Sequence, residues 1–276
     1  MSVLITGAHG QLGSEFINLL PNALATGSKD LDITNKRAVR DFIKQNDVDT
    51  IINCAGYTAV DAAELDFNNA TKINVLGPEI LAKTGCKIIH FSTDYVFDGR
   101  ADSPYKTTEW PIPLSVYGNT KLMGEKAVLR FSPESIVIRT SWLYSPYGKN
   151  FVKTMQKLGS EKSEINVVND QIGTPTYAAD LAAAVVQILP QMNIFNSGVY
   201  HFSNLGQCSW YDFACEIMKQ SGLNCKVNPI PSSKYPTAAK RPKYSVLDKE
   251  KIQQTFGIKM ADWQNALTRC IGQMTR

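Results

Sequence analysis

The feature that most constrains this chain is a glycine-rich loop near its first residue. A short apolar run over residues 2–6 leads into Gly7-x-x-Gly10-x-x-Gly13, and a helical pattern covers residues 11–20. Glycines at such a strand-to-helix turn let backbone N–H groups and the positive end of the helix dipole face a phosphate group. The loop therefore predicts a βαβ unit that binds a dinucleotide, with a purely structural turn as the alternative.

The first half of the chain alternates short β-rich runs with longer helical patterns. Predicted strands cover residues 2–6, 23–26, 50–54, 87–91 and 135–139. Predicted helices cover residues 11–20, 36–45, 68–84 and about 114–131. Such alternation is typical of a parallel sheet with helices on both faces. We therefore predict an α/β fold, with a Rossmann-like doubly wound parallel sheet over residues 1–145.

The pattern becomes mixed after residue 145. Helical segments at 151–158 and 209–221 and an extended run at 198–202 predict a smaller, mixed C-terminal lobe that binds substrate, mainly over residues 146–276. A strand near 165–168 and a helix at 177–189 are expected to return to the first domain. The two parts are therefore predicted to be interleaved along the chain.

Composition and charge narrow the class of protein. With 276 residues, 43% of them hydrophobic, the chain is long enough to bury a full α/β core. The net charge of +4 is small and the basic run 240–243 is short, so no nucleic-acid partner is predicted. Six cysteines without a C-x-x-C pair and three widely separated histidines predict reduced thiols and no metal site. The absence of a signal-peptide pattern and of a long apolar stretch predicts a cytoplasmic protein without a membrane partner.

Two pairs of polar residues predict the catalytic groups of a site. Tyr117 and Lys121 are four residues apart on a predicted helix, and Ser92 and Thr93 end an apolar run. This separation puts phenol and ammonium on one helix face, where the cation is expected to lower the tyrosine pKa from about 10. Reducing a ketone requires a proton donor at its oxygen and a second hydrogen bond to the developing alkoxide. Tyr117 fits the donor and Thr93 or Ser92 the second group, although the Tyr-Lys spacing alone also fits a solvent-exposed helix.

The loop after the second predicted strand bears on the type of cofactor. Ser28 and Lys29 favour the 2′-phosphate of NADP, whereas Asp30 favours the 2′-hydroxyl of NAD. These residues predict NADPH as the cofactor, with NADH also accepted.

The form of the glycine loop, Thr6-Gly7-x-x-Gly10-x-x-Gly13, resembles that of the extended short-chain dehydrogenase/reductase superfamily. The resemblance implies that Thr93, rather than Ser92, is catalytic beside Tyr117 and Lys121. It also implies that Asp32 and Ile33 flank the adenine and that residues 53–56 run past the central riboses. The full set of implied cofactor-binding residues is Gly7, His9, Gly10, Gln11, Leu12, Gly13, Ser28, Lys29, Asp32, Ile33, Cys54, Ala55, Gly56, Tyr117 and Lys121.

Further segments resemble those of the dTDP-4-dehydrorhamnose reductase family. They are residues 57–64, 92–99, 139–144, 150–155, 170–176, 200–204 and 241–245. The resemblance implies NAD(P)H-dependent reduction of the C4 ketone of dTDP-4-dehydro-L-rhamnose to dTDP-L-rhamnose, in nucleotide-sugar biosynthesis. The implied substrate-binding residues are Thr58, Val60, Asp94, Tyr95, Trp142, Asn150 and Arg241. Trp142 would offer a flat face to the sugar and Arg241 would bind a phosphate bidentately, with core packing and an exposed arginine as the respective alternatives.

The resemblance leaves the assembly and the substrate open. Some members of this family dimerise through glutamates that share a magnesium ion. Glu15 matches one such position but the others have no match, so no metal is predicted and a monomer or homodimer is expected. The same fold also suits a reductase or epimerase of a related 6-deoxy-4-keto nucleotide sugar, or a non-catalytic nucleotide-binding regulatory subunit. The presence of Thr93, Tyr117 and Lys121 together favours catalysis.

Overall fold

A computed structural model describes residues 2–274 of the chain. Its strands are β1 (Val3–Thr6), β2 (Leu24–Thr26), β3 (Thr50–Asn53), β4 (Lys87–Thr93), β5 (Ile136–Thr140), β6 (Leu143–Tyr144), β7 (Glu164–Val168), β8 (Ile172–Gly173), β9 (Thr176–Tyr177), β10 (Gly198–His201), β11 (Cys208–Ser209) and β12 (Lys226–Ile230). Its α-helices are α1 (Gln11–Leu19), α2 (Lys36–Gln45), α3 (Val60–Ala63), α4 (Phe67–Thr71), α5 (Gly77–Ala82), α6 (Val116–Phe131), α7 (Phe151–Glu161), α8 (Ala178–Ile188), α9 (Trp210–Gln220), α10 (Glu250–Phe256) and α11 (Trp263–Met274).

The central sheet is parallel and has the strand order β10-β5-β4-β3-β1-β2. From β1 the chain first adds β2 on one side and then crosses to place β3 on the other side. The direction of winding therefore reverses between β1 and β3. In open α/β sheets, ligands bind beyond the carboxyl ends of the strands at such a reversal.

Adjacent residues on the central strands face opposite sides of the sheet, and both sides are buried. Ile5 and Ile52 pack in a core with α1, α8 and α10. Their neighbours Leu4 and Ile51 pack in a second core with α2, α5 and α6. Because side chains alternate along a strand, a sheet covered on both faces needs continuous apolar runs. The predicted doubly wound α/β fold is confirmed.

The helix predicted over residues 68–84 is interrupted in the structure. It consists of α4, a π-helical turn at Lys72–Leu76, and α5. Pro78 has no N–H to donate to the carbonyl of Asn74, so a regular α-helical hydrogen bond cannot form there. The buried Asn74 side chain accepts from Tyr57 N at 2.8 Å and donates to Tyr57 O at 3.1 Å. The irregular turn thus fixes the chain segment that follows β3.

The C-terminal lobe is built from α7, α9 and α11, which share a core with residues of β7. Strand β7 pairs with β12, apart from the central sheet. The later strand that joins the central sheet is β10, beside β5, which corrects the position expected for the returning strand. Helix α8 does return, and it packs in the core with α1. Among residues 2–274, no helix is both long and apolar enough to cross a bilayer.

Candidate active site

A cleft of about 500 Å³ opens at the carboxyl ends of the central strands, between the sheet and the C-terminal lobe. It lies where the winding of the sheet reverses. The predicted site residues that line it are Gly10, Gln11, Leu12, Cys54, Ala55, Gly56, Thr58, Val60, Thr93, Asp94, Tyr95, Tyr117, Lys121, Trp142 and Asn150. The tertiary structure therefore brings together the predicted catalytic residues and residues from both predicted binding sets.

The glycine loop forms the floor at one end of this cleft. Gly7 has a positive φ of 64°, and a Cβ atom there would lie 2.6 Å from Ala55 N. A Cβ atom at Gly13 would overlap the carbonyl oxygen of Gly7. Helix α1 begins after Gly10 without a side-chain cap, so the N–H groups of its first turn have no partner within the helix. This geometry suits a phosphate group held by backbone N–H groups.

The loop after β2 lies beside the glycine loop and outside the cleft lining. Asp30 Oδ2 accepts from Gly27 N at 2.8 Å and lies 3.6 Å from His9 Nε2. Ser28 and Lys29 are exposed. Asp32 accepts hydrogen bonds from Thr34, and Ile33 is buried in the core. One Asp30 oxygen is thus used within its own turn, while the Lys29 cation is accessible.

Helix α6 positions the predicted acid and its lysine. The Ser115 side chain caps this helix by accepting from Gly118 N at 3.1 Å. Tyr117 is therefore in the first turn, with its ring 5.6 Å from that of Tyr95 in an edge-to-face contact. Lys121 is buried and donates from Nζ to Phe91 O at 2.6 Å. The helix places the phenol and the ammonium beside the end of β4, which carries Thr93.

The expected direction of the Tyr117 pKa shift is wrong. Burial raises the pKa of Tyr117 to about 12, although the Thr93 side chain acts to lower it. Burial also lowers the pKa of Lys121 to about 8, against the opposite effect of Glu125. Desolvation disfavours the charged form of each group, and it is the largest cause of both shifts. Tyr117 therefore holds its proton at neutral pH.

A buried ion pair, which sequence reasoning missed, lies behind these catalytic groups. Arg139 donates to Glu125 through Nε at 2.9 Å and through Nη2 at 2.7 Å. The two side chains are only 4% and 2% exposed, and the Ser92 hydroxyl also donates to Glu125. The network joins α6 to β4 and β5. Glu125 follows Lys121 by one helical turn, a spacing visible in the sequence, but nothing there identifies Arg139 as its partner.

An aromatic wall forms the substrate end of the cleft. Trp142 has a positive φ of 48°, which is uncommon for a bulky residue and is typical of functional sites. Its ring stacks on Trp210 with 3.5 Å between centroids and 8° between planes. Phe151 packs against Trp210 with 4.6 Å between centroids. Trp210 and Phe151 line the cleft but were not predicted, because they lie on lobe helices whose position is not visible in the sequence.

Arg241 does not present a free guanidinium to the cleft. It forms a bidentate ion pair with Asp61, in which Nη1 donates to Oδ1 at 3.0 Å and Nη2 donates to Oδ2 at 2.6 Å. Hydrogen bonding to Arg241 lowers the pKa of Asp61. The expected bidentate geometry is thus directed to a carboxylate in this structure. Arg241 also lines a basic groove of about 550 Å³ together with Arg100, Lys240 and Lys243.

Glu15 lies away from the cleft. It is buried, accepts from Ser145 Oγ at 2.8 Å, and has its pKa raised by burial. No group of three or more histidine, cysteine, aspartate or glutamate side chains that could hold a metal ion occurs within residues 2–274.

Comparisons with known proteins agree along the whole chain. The family model described as RmlD substrate binding domain matches residues 1–276. The dTDP-4-dehydrorhamnose reductase of Aggregatibacter actinomycetemcomitans is 44% identical, with 96% of each chain covered. The crystal structure of a dTDP-4-dehydrorhamnose reductase from Clostridium acetobutylicum has a TM-score of 0.96 and 43% identity, with 100% of each chain covered. That of the Bacillus anthracis enzyme, in complex with NADP, has a TM-score of 0.94 and 38% identity, covering 99% of this chain and 100% of that one.

The buried ion pair generates a prediction about stability. Glu125→Gln keeps the shape of the side chain but leaves the Arg139 charge unpaired in the interior, so we expect the free energy of unfolding to fall by about 3–5 kcal/mol. Glu134→Gln is the matched control, because Glu134 pairs with Lys87 where both side chains are about two-fifths exposed, and it should cost less than about 1 kcal/mol. Urea unfolding of both variants measures the difference. Equal losses would contradict the role assigned to the pair.

Proposed function

The chain belongs to the RmlD substrate binding domain family, and on that premise we propose that it reduces the C4 ketone of dTDP-4-dehydro-L-rhamnose to dTDP-L-rhamnose with NADPH. The observation that carries the proposal is the convergence of Thr93, Tyr117 and Lys121 in one cleft with the glycine loop at one end. A proton donor, a cation and a second hydroxyl are the groups that ketone reduction requires.

The cleft fits a dinucleotide cofactor. Side chains at Gly7 or Gly13 would fill the turn on which the phosphates rest, and the uncapped start of α1 offers N–H groups to them. Residues 54–56 would lie along the riboses, and Ser28 and Lys29 would meet the 2′-phosphate. When bound, NADPH supplies the hydride. The relative from Bacillus anthracis is in complex with NADP, and use of NADH by this chain stays a prediction.

Tyr117 is proposed to act as the general acid. Because its pKa is raised to about 12, the phenol is protonated throughout the neutral range and can donate to the ketone oxygen as that oxygen gains negative charge. The buried Lys121 ammonium lies one helical turn away and would stabilise the phenolate that remains. Thr93, at the end of β4, would provide the second hydrogen bond to the same oxygen.

The rest of the substrate is proposed to span the cleft and the basic groove. The Trp142–Trp210 stack offers an apolar wall to a 6-deoxy sugar, with Thr58 and Val60 among the other lining residues. The basic groove that Arg241 lines carries several cations, which suits a diphosphate. Binding energy from the nucleotide end would help to hold the ketone at Tyr117.

Replacing the acid tests the mechanism. Tyr117→Phe should bind NADPH like the unmodified protein but lose about 10²–10⁴-fold in turnover, the usual contribution of a general acid. NADPH absorbance with dTDP-4-dehydrorhamnose is the measurement. Tyr147→Phe is the control, because Tyr147 lies outside the cleft and its hydroxyl accepts from Asn18. Turnover close to normal in Tyr117→Phe at saturating substrate would assign the proton to another group.

Nucleotide competition tests the substrate class. We expect dTDP alone to compete with substrate, and Arg241→Ala to raise KM about tenfold with a smaller effect on kcat, as loss of a charge-assisted hydrogen bond predicts. Arg37→Ala, which removes an exposed arginine paired with Asp41, should leave KM unchanged. Inhibition constants for dTDP, UDP and GDP complete the test. If none of them inhibits, the nucleotide-sugar assignment is wrong.

The loop after β2 generates a prediction about the cofactor. Lys29→Glu should weaken NADPH more than NADH, since a carboxylate repels the 2′-phosphate and can accept from a 2′-hydroxyl. Lys44→Glu is the charge-matched control, because Lys44 is in the last turn of α2, which leads to the start of β3 and so lies at the amino ends of the strands, opposite the cleft. The ratio of kcat/KM for the two cofactors is measured. A ratio that does not change would show that Lys29 has no part in cofactor choice.

NADPH oxidation, measured with different nucleotide sugars, separates the alternative functions. Oxidation of NADPH by another 6-deoxy-4-keto nucleotide sugar, but not by dTDP-4-dehydrorhamnose, would indicate a related reductase. Nucleotide binding without any turnover would indicate a regulatory subunit. The cytoplasmic location and the monomeric or homodimeric state stay predictions.

A further inference from the structure

The Thr93 hydroxyl hydrogen-bonds to Asp94 in this structure. Thr93 Oγ1 donates to Asp94 Oδ1 at 3.0 Å and accepts from Tyr95 N at 3.2 Å. A hydroxyl has one proton and two acceptor lone pairs, and an ionised carboxylate can only accept. While Asp94 is ionised, its charge therefore draws the Thr93 proton to Asp94 Oδ1, in competition with the Tyr117 oxygen, to which the Thr93 side chain also hydrogen-bonds.

Asp94 is unusually placed for a carboxylate. It lines the cleft and is only 2% exposed, and its Oδ2 atom is buried without a hydrogen bond of normal geometry among the described residues. The Ser245 side chain and the backbone N–H groups of Asp94 and Tyr95 nevertheless favour its ionised form. Desolvation of an ionised carboxylate is costly when one of its oxygens is unsatisfied. The neutral acid is less costly to bury, and it carries a proton that can be donated.

Protonation of Asp94 reverses its hydrogen bond with Thr93. The carboxylic O–H can then donate to Thr93 Oγ1, which releases the Thr93 proton to point into the cleft. We propose that Asp94 is a positioning residue that acts as a neutral acid, turning the Thr93 hydroxyl toward the ketone oxygen that Tyr117 protonates. This inference rests on the proposed function. Asp94 keeps its proton throughout, and the proton that is transferred comes from Tyr117.

The groups around Asp94 are compatible with this role. Burial raises the pKa of Asp94 to about 6, against the lowering effects of the Ser245 and Thr93 side chains. Among the described residues, the phenols of Tyr95 and Tyr117 are the titratable groups on which its charge acts, and Arg241 and Asp61 also act on Tyr95. After burial, the negative charge of Asp94 is a further cause that raises the pKa of Tyr95, and it also acts to raise that of Tyr117. Neutral Asp94 therefore also removes a charge that opposes proton release by Tyr117.

The pH dependence of kcat/KM tests the inference, because it reports the ionisation of the free enzyme. The protonated form of Asp94 is the productive one, so kcat/KM should fall about tenfold per pH unit above the pKa of about 6. In Asp94→Asn the amide can donate to Thr93 at every pH, so this decrease in kcat/KM, the first limb of the profile, should be absent. A second limb near pH 8, from deprotonation of Lys121, should be retained. Asp94→Ala should also lack this decrease, because no carboxylate holds the Thr93 proton, and it should lie below Asp94→Asn by up to about tenfold because nothing orients the hydroxyl. Asp102→Asn, at an exposed aspartate, should keep the unmodified profile.

A measurement without substrate provides an independent readout. The carbonyl stretch of protonated carboxyl groups, followed by infrared difference spectroscopy between pH 5 and 8, should contain a titrating component in the unmodified protein that Asp94→Asn lacks. Any contribution of the buried Glu15 carboxyl is common to both proteins. If Asp94→Asn does not fold, Ser245→Ala replaces it. Loss of a hydroxyl that lowers the Asp94 pKa should move both the infrared titration and the kcat/KM limb to higher pH.

Different results would overturn the role of Asp94 and the proposed function. A flat kcat/KM profile between pH 5 and 7, a limb that persists in Asp94→Asn, or an infrared band that does not titrate overturns the role of Asp94. Absence of NADPH oxidation by the unmodified protein at every pH instead overturns the proposed function. In that case the infrared titration still decides whether Asp94 is neutral in the cleft.

Discussion

The ion pair between Glu125 and Arg139 is the interaction on which the catalytic arrangement depends. Glu125 shares a face of α6 with Lys121, and Arg139 lies near the end of β5. Both charges are almost completely buried, so neither is tolerated without the other. The Ser92 hydroxyl ties the same carboxylate to β4. Any rotation of α6 that displaced Tyr117 from Thr93 would also break this pair, and the helix is therefore held in one orientation.

Close approach is the second constraint on α6. A Cβ atom at Gly118 would overlap the carbonyl oxygen of Tyr95, and one at Gly124 would overlap that of Asn74. These two glycines let the helix lie against the turn after β4 and against the π-helical turn. The same turn presents the Asn74 side chain that holds Tyr57. Small residues on one helix thus position two loops that border the cleft.

Burial fixes the positions of the site residues and also shifts their pKa values. The enclosure that orients Tyr117, Lys121 and Asp94 raises the pKa of the phenol and the carboxyl and lowers that of the ammonium. All three shifts favour neutral groups. The lobe completes the enclosure, since Asn150 donates to Gln11 of the glycine loop and Trp210 stacks on Trp142. A substrate that fills the cleft meets groups whose protonation is set by the protein interior.

Local patterns in the sequence determined the parallel sheet, the glycine turn and the placement of Tyr117 and Lys121 on one helix face, because each depends on short-range periodicity or on the conformational freedom of glycine. Thr93 was selected over Ser92 by resemblance, and the structure shows Ser92 engaged by Glu125. Only the tertiary structure decided that β10 rather than β7 joins the sheet, that Trp210 backs Trp142, and that Arg241 pairs with Asp61. The direction of the Tyr117 pKa shift was also a tertiary property. Desolvation and long-range partners depend on what packs around a side chain, and that is settled only when distant segments meet.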